Sequence, residues 1–379
     1  MPPESPPNSP QPDAVTERES LLLAPYAMNS ADSAGRKYAE PAHSYRAPFA
    51  RDRDRIIHSA AYRRLSYKTQ VFTGELGDYH RSRLTHTIEV NLIARTLGRA
   101  LRLNEDLVEA LAVQHDIGHP PFGHSGEETL DECLRDSGGF SHNRQALRIV
   151  ELLERRYPNF PGLNLSREVL EGQEARAERE SRDRGPLLET QVVDAADSIA
   201  YDTHDADDAM ELGLLQLGEL LEVPLWREAA RRVNSRYANL AGGDLRRAVL
   251  HELIDWQVTD LLAESRARIE RFEINGVEAV RRGPRIIGHS QELAELKAEL
   301  ETTLHHRVYR HPQVLQMRGQ AQSRLEEMFA GYLHRPELLP EAFFARATDF
   351  GLPRTVGDYL AGMTDRFALR EHARLFARD

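Results

Sequence analysis

The chain has 379 residues, 40% of them apolar and 29% charged, a globular composition large enough for one big domain or two ordinary ones. Its formal charge of −11 repels nucleotides and nucleic acids at long range, so an anionic ligand has to be held by local cations or a metal ion. The one cysteine, Cys133, rules out an intrachain disulfide, and no run of eighteen apolar residues or signal-peptide pattern occurs, so the expectation is a cytoplasmic protein without a membrane span.

Residues 1–28 read as a disordered, proline-rich tail. Five prolines fall within the first eleven residues, and little there supports a core. Residues 29–320 read as one continuous globular domain, and 321–379 as a helical extension packed on it. Alternating β-branched runs are almost absent and helical spacing recurs. This predicts an all-α fold, with any strand confined to a short hairpin near 66–80. Arg51, Asp52, Arg53, Asp54 and Arg55 alternate in sign, the pattern of a self-paired, solvated helix face.

Residues 84–101 predict a helix with His86, Val90, Ile93 and Leu97 on one face. Residues 105–115 predict another, capped by Asn104, with Val108, Leu111, Ala112 and His115 in one stripe. The charged stretch 173–185, QEARAERESRDRG, breaks the pattern and reads as a solvated loop or frayed helix. Helices are also expected at 142–156, 188–203, 213–222, 225–237 and 244–271. Residues 288–379 look helical too. Trp226 and Trp256 read as core.

The most informative stretch is QHDIGHPPFGHSGEE, residues 114–128. His115 and Asp116 end an apolar helix, and Pro120 and Pro121 forbid its continuation. His119, His124, Glu127 and Glu128 follow within twelve residues. Buried imidazoles and carboxylates need partners, and a cluster of them invites a cation. A mixed His/Asp set suits Mg, Mn, Fe, Co or Zn rather than a thiolate-loving metal. His86 lies on the apolar face of its helix. Asp194, Asp197, Tyr201 and Asp205 share one face of another.

The order His86, His115-Asp116, Asp197 resembles the H…HD…D signature of HD-domain metal-dependent phosphohydrolases. The flanking blocks narrow the likeness. FARDRDRIIHSAAYRRLSYKTQVF (49–72), RSRLTHTIEVN (81–91), HDIGHPPFGHSGE (115–127), HNRQALRIV (142–150), VVDAADSIAYDTHD (192–205) and HHRVYRHPQV (305–314) resemble, in order, blocks of the dGTPase-like triphosphohydrolases. The resemblance covers about residues 33–315 and implies an HD-domain helical bundle, its HD core at about 80–207, with additional C-terminal helices.

It also implies roles. His86, His115, Asp116 and Asp197 would hold one divalent metal, Asp194 being the rival for the last place. His124 and Glu127 match a catalytic pair beside the α-phosphate. His119 and His142 would line the phosphate pocket, and Arg83 would touch a phosphate. Gln70 would meet the sugar 3′-hydroxyl, and Tyr201 would pack on the deoxyribose, with Asp205 following at the family's spacing. Tyr309 and His311 would approach sugar and base. One or more arginines of 51–55 would reach a nucleotide. The implied reaction takes a deoxynucleoside triphosphate (dNTP) to deoxynucleoside and inorganic triphosphate. The family also implies a homo-oligomer, often a hexamer, and in some members a dNTP activator. Two other readings compete: an HD phosphohydrolase for another nucleotide, and a dNTP sensor or single-stranded nucleic-acid binder on the same scaffold.

Overall fold

The computed structural model describes residues 14–41, 43, 45–70, 81–178 and 184–376. Among these residues there is no β-strand, only isolated bridges such as Arg36–Ser166 and Thr69–Ser82. The all-α expectation therefore stands, with additional C-terminal helices as expected. Most of the hairpin expected near 66–80 lies outside the described residues; residues 65–67 form a 3-10 turn.

Four helices enclose the largest core: Pro48–Ile57, Arg83–Ala100, Glu105–Gln114 and Leu188–Glu211. The stripes read from the sequence meet there, with Val90, Ile93, Leu97, Val108 and Leu111 packed against Val192, Ala196 and Ile199. A second core joins the end of Leu188–Glu211 to Pro224–Arg236, Gly242–Arg271 and Gln291–Leu304. Trp226 is fully buried in it, while Trp256 is half-buried beneath the Arg232 guanidinium. A third core packs Gly123–Cys133 against Pro312–His334, which in turn carries Leu352–Ala361 and Asp365–Phe376. No helix among the described residues is long and apolar enough to cross a membrane.

Three expectations are corrected. The tail expected to be disordered through residue 28 contains the helix Ala14–Leu22, and Ala24, Ala27 and Met28 are buried. Polar ties anchor it: Asn104 Nδ2 donates to Met28 O (2.9 Å) and Glu19 Oε1 (3.1 Å), and the buried Glu189 Oε1 accepts from Met28 N (2.9 Å). The alternating run at 51–55 is not a solvated face. Asp52 is buried against Arg36 and Ser166 N, and Arg55 bridges Glu40 to the carbonyls of Leu163 and Asn164. Part of the stretch 173–185 belongs to the helix Arg167–Ala177, with Gln173 buried; residues 179–183 lie outside the described residues.

Asn104 does cap the Glu105–Gln114 helix, its side chain accepting from Leu107 N at 3.2 Å. Asn104→Ala removes this cap and both tail donors, and is expected to cost about 2 kcal/mol. Urea denaturation checks it; an unchanged midpoint would mean that water replaces these bonds without loss.

Candidate active site

The Glu105–Gln114 helix stops at His115, its C-cap, and the prolines that follow turn the chain into a tight loop closed by His119 N donating to Asp116 O at 3.1 Å. Gly118 sets how close that loop comes to its neighbour. A Cβ there would lie 1.9 Å from His142 O and 2.5 Å from Ala146 N, so only glycine allows the approach. The approach stacks His119 on His142, ring centroids 3.8 Å apart and 12° from parallel. At the loop's end Phe122 takes a left-handed backbone (φ 64°), strained for a side chain of its size. Its N–H is tied to Asp365 Oδ1 at 3.0 Å.

His115 Nδ1 lies 2.6 Å from Ala112 O. A carbonyl only accepts, so Nδ1 carries the proton and Nε2 presents its lone pair. That Nε2 is buried without a hydrogen-bond partner. It lies 3.5 Å from Asp116 Oδ1 and 3.8 Å from Asp197 Oδ1, and His86 Nε2 lies 3.0 Å from the same Asp197 oxygen. Donor atoms of His86, His115 and Asp116 all fall within 4.8 Å of one another. An orphaned imidazole lone pair among two carboxylates and a second imidazole fits a divalent cation. Asp194 is turned elsewhere, accepting from Arg176 Nε (2.8 Å) and Arg285 Nη2 (3.1 Å).

Both central carboxylates are backed by buried arginines. Arg83, 1% exposed, donates Nη1 to Asp116 Oδ2 at 3.0 Å and Nη2 to Gln70 O at 3.3 Å. Its guanidinium, expected on a phosphate, is thus committed to Asp116. Arg176 Nη2 sits 3.7 Å from Asp197 Oδ2 while its Nε holds Asp194. The sequence reading missed Arg176 because it lies in the stretch taken as solvated. Nothing in a charged run marks the one residue that turns inward.

A second group adjoins the first. Glu127 Oε1 accepts from His142 N and Nδ1, both at 2.8 Å, and Glu127 Oε2 lies 3.5 Å from His124 Nδ1. Glu127 is therefore held more closely by His142 than by His124. His119 Nε2 is 3.2 Å from Asp116 Oδ1, linking the two groups. The His124 side chain is 62% exposed and lines an open cavity of about 440 Å³ together with Tyr201, Tyr309, Arg310 and Arg318. Tyr309 donates its hydroxyl to the buried Asp205, and the Tyr201 and Tyr309 rings are 6.4 Å apart. Gln70, His119, His142 and His311 do not line this cavity. Gln70 Oε1 and His311 Nδ1 are buried without partners.

The electrostatics follow from burial and charge. Burial would raise the Asp116 carboxyl, but His115, Arg83 and His119 outweigh it and hold it well below the usual range. Asp197 is lowered likewise, against burial, by His115, His86 and Arg176. Burial pushes the imidazoles of His115 and His119 down, which keeps their lone pairs available. His86 is raised; burial opposes this, but the hydrogen bond and charge of Asp197 prevail. Glu127 is held far below its ordinary range, as His124 and His142 outweigh its burial.

Residues 83–202 match the HD domain family, and residues 287–374 match the phosphohydrolase-associated domain family. A deoxyguanosinetriphosphate triphosphohydrolase-like protein of Azoarcus sp. (strain BH72) is 44% identical over 373 residues, 95% of this chain and 98% of the relative. A protein of the same description from Leptospira interrogans (serogroup Icterohaemorrhagiae, serovar copenhageni) is 42% identical over 94% of this chain and 97% of its own. Another, from Geobacter metallireducens, is 43% identical over 95% and 96%. The chain belongs to the deoxyguanosinetriphosphate triphosphohydrolase-like family. It is a phosphohydrolase of the HD type, and its buried His86, His115 and Asp116 form a group that fits a metal ion.

Two outcomes test this geometry. Arg176→Met frees Asp197 to turn and leaves Asp194 uncompensated, so Mn²⁺ affinity measured by calorimetry should fall roughly 10- to 100-fold. Arg176→Lys should recover part of it, and unchanged affinity in both variants would remove Arg176 from the site. The second outcome concerns Asp205, which burial pushes up to about 7, against the hydrogen bond from Tyr309. The folded protein keeps this proton up to about pH 7, whereas the unfolded chain loses it near 3.8. The native state therefore binds more protons across that window, and this contribution to stability falls as pH rises through it. Asp205→Asn, neutral throughout, should gain on the parent from about pH 4 to 7 and no further above. Parallel thermal-melting profiles would show that Asp205 is ionised in the native state.

Proposed function

We propose that the protein hydrolyses deoxynucleoside triphosphates to deoxynucleoside and inorganic triphosphate, using one divalent metal per site. One observation carries this reading: the buried, unpartnered His115 Nε2 among His86, Asp116 and Asp197, beside the His119–His142–Glu127 group. The relatives' description points to the same substrate class.

His86, His115, Asp116 and Asp197 would hold the metal. When bound, such an ion polarises a phosphoryl oxygen and makes a water more acidic. Arg83 and Arg176 keep the two carboxylates ionised and aimed. By the family resemblance, His119 and His142 would line the phosphate pocket, Gln70 would meet the 3′-hydroxyl, Tyr201 would pack on the deoxyribose with Tyr309 held beside it by Asp205, and His311 would approach the base. In the reaction a water oxygen bonds to the α-phosphorus and the bond from that phosphorus to the 5′ oxygen breaks. The departing oxygen needs a proton. His124, with Glu127 3.5 Å from its Nδ1 and its Nε2 left free, would deliver it, and the proton that the attacking water gives up would restore the imidazole. The products are the deoxynucleoside and triphosphate.

Incubation with each of the four dNTPs and with Mg, Mn, Fe, Co or Zn decides the matter. Deoxynucleoside and triphosphate should appear in equal amounts, and Asp116→Ala should abolish metal binding and turnover together. Release of pyrophosphate or orthophosphate instead, or full turnover in the Asp116→Ala variant, would refute the reading.

A further inference from the structure

Of the 49 lysines and arginines only three are lysines: Lys37, Lys68 and Lys297. Lys297 is buried on the helix Gln291–Leu304, which otherwise enters the second core through Leu293, Leu300 and Leu304. Its Nζ donates to Asp202 Oδ2 and, at 2.8 Å, to Gln257 Oε1. Asp202 and Gln257 are buried as well, on the helices Leu188–Glu211 and Gly242–Arg271. One cation, one carboxylate and one amide thus join three helices. A guanidinium would bring five donors to these two acceptors, whereas an ammonium brings three. A compact point charge suits the place better than the fork this chain uses nearly everywhere else.

An ion pair is a costly way to fill such a position. Replacing a buried pair by apolar side chains of similar volume is often neutral or stabilising. Burial pushes Asp202 up to about 6 even though Lys297 opposes it, and Asp202 Oδ1 has no hydrogen-bond partner. What a buried pair supplies and leucines do not is register. Contacts between leucines tolerate a helix that slides along its neighbour; an ammonium facing one carboxylate oxygen does not. Register matters here because of what adjoins the two residues. Asp202 follows Tyr201 directly and leaves its helix about 100° round from it. The helix of Lys297 runs on into the π turn His305–Tyr309, where Tyr309 donates its hydroxyl to Asp205. Tyr201 and Tyr309 both line the cavity of about 440 Å³ that His124 opens onto, their rings 6.4 Å apart and 33° from parallel.

We propose that Lys297 and Asp202 are positioning residues for the substrate cavity: their ion pair fixes Gln291–Tyr309 against Leu188–Glu211 and so sets the spacing of the Tyr201 and Tyr309 rings. Neither residue lines the cavity, and neither bonds to His86, His115, Asp116 or Asp197. The pair therefore acts on how the substrate fits and leaves the metal group and His124 as they are. The inference rests on the proposed function in one respect, that the molecule between the two rings is a dNTP.

Lys297→Met combined with Asp202→Leu removes both charges together, so the net charge stays at −11 and the buried volume changes little. This double variant should melt at or above the parent's temperature and bind Mn²⁺ with the parent's affinity. Its KM for dNTPs should rise roughly fivefold or more while kcat stays within about twofold, as when binding is lost equally from ground and transition states. In protein labelled with 3-fluorotyrosine, the fluorine resonances of Tyr201 and Tyr309, identified with Tyr201→Phe and Tyr309→Phe, should both move in the double variant. Lys297→Gln with Asp202→Asn serves if the apolar pair disturbs folding, and should show the same two changes. A parent that turns over no dNTP would defeat the proposed function, and the fluorine spectra would still decide the positioning. Unmoved resonances in a folded variant, or turnover that keeps the parent's KM, would overturn the proposal.

Discussion

Two carboxylates, Asp116 and Asp197, are held beside two imidazoles inside a helical bundle, and the rest of the site depends on keeping them charged there. Burying an ionised carboxyl is costly unless it is paired and hydrogen-bonded. Left alone, burial would protonate both groups and spoil them as ligands. The chain answers with one inward-facing arginine for each: Arg83 on Asp116 and Arg176 behind Asp197. Each arginine takes one oxygen and leaves the other, Oδ1, turned toward the imidazoles. The arginines aim the carboxylates and help His115 keep them ionised, while the Ala112 carbonyl sets the His115 tautomer.

The scaffold serves this arrangement by close approach and by ties from distant sequence. Gly118 lets the loop press on the His142–Arg148 helix, and the His119–His142 stack follows from that contact. Lys68 fastens the loop to Ala361, and burial, followed by the charge of Arg64, pushes the ammonium down to about 7. Asp365 fastens the loop's far end. The C-terminal helices are thus part of the support of the loop that carries His119. Breaking the Asp365 tie would leave Phe122 in its strained backbone without the hydrogen bond that holds its N–H.

The fold class and the buried His/Asp cluster were legible because their signals are periodic or clustered. Apolar stripes at helical spacing marked the Arg83–Ala100 and Glu105–Gln114 helices, and the density of His, Asp and Glu in 114–128 marked the loop. Asp197 could be preferred over Asp194 from family spacing, and the structure turns Asp194 toward Arg176 and Arg285. The supporting residues were hidden for a common reason. Arg176, Asp52 and Arg55 sit in charged runs, and a run reports average solvation, not the one side chain that turns inward. Met28 and Glu19 were hidden likewise, since polar anchors give a short segment no apolar signal.

Charge accounting joins the two levels. Of the buried cations near the catalytic loop, Arg83 and Arg176 are consumed by the carboxylates and Lys68 by two carbonyls. What faces the His124 cavity is Arg310, and Arg318, which is already paired with Glu128 at 2.9 Å. A triphosphate brings about four negative charges into a protein that is itself strongly negative. The imidazoles of His115 and His119, pushed down by burial, supply lone pairs and hydrogen bonds rather than charge. Side chains alone therefore leave the proposed substrate's charge largely unmet. The donor set of His86, His115, Asp116 and Asp197 is where the missing positive charge has to come from, so in this reading the metal is required for binding as well as for chemistry.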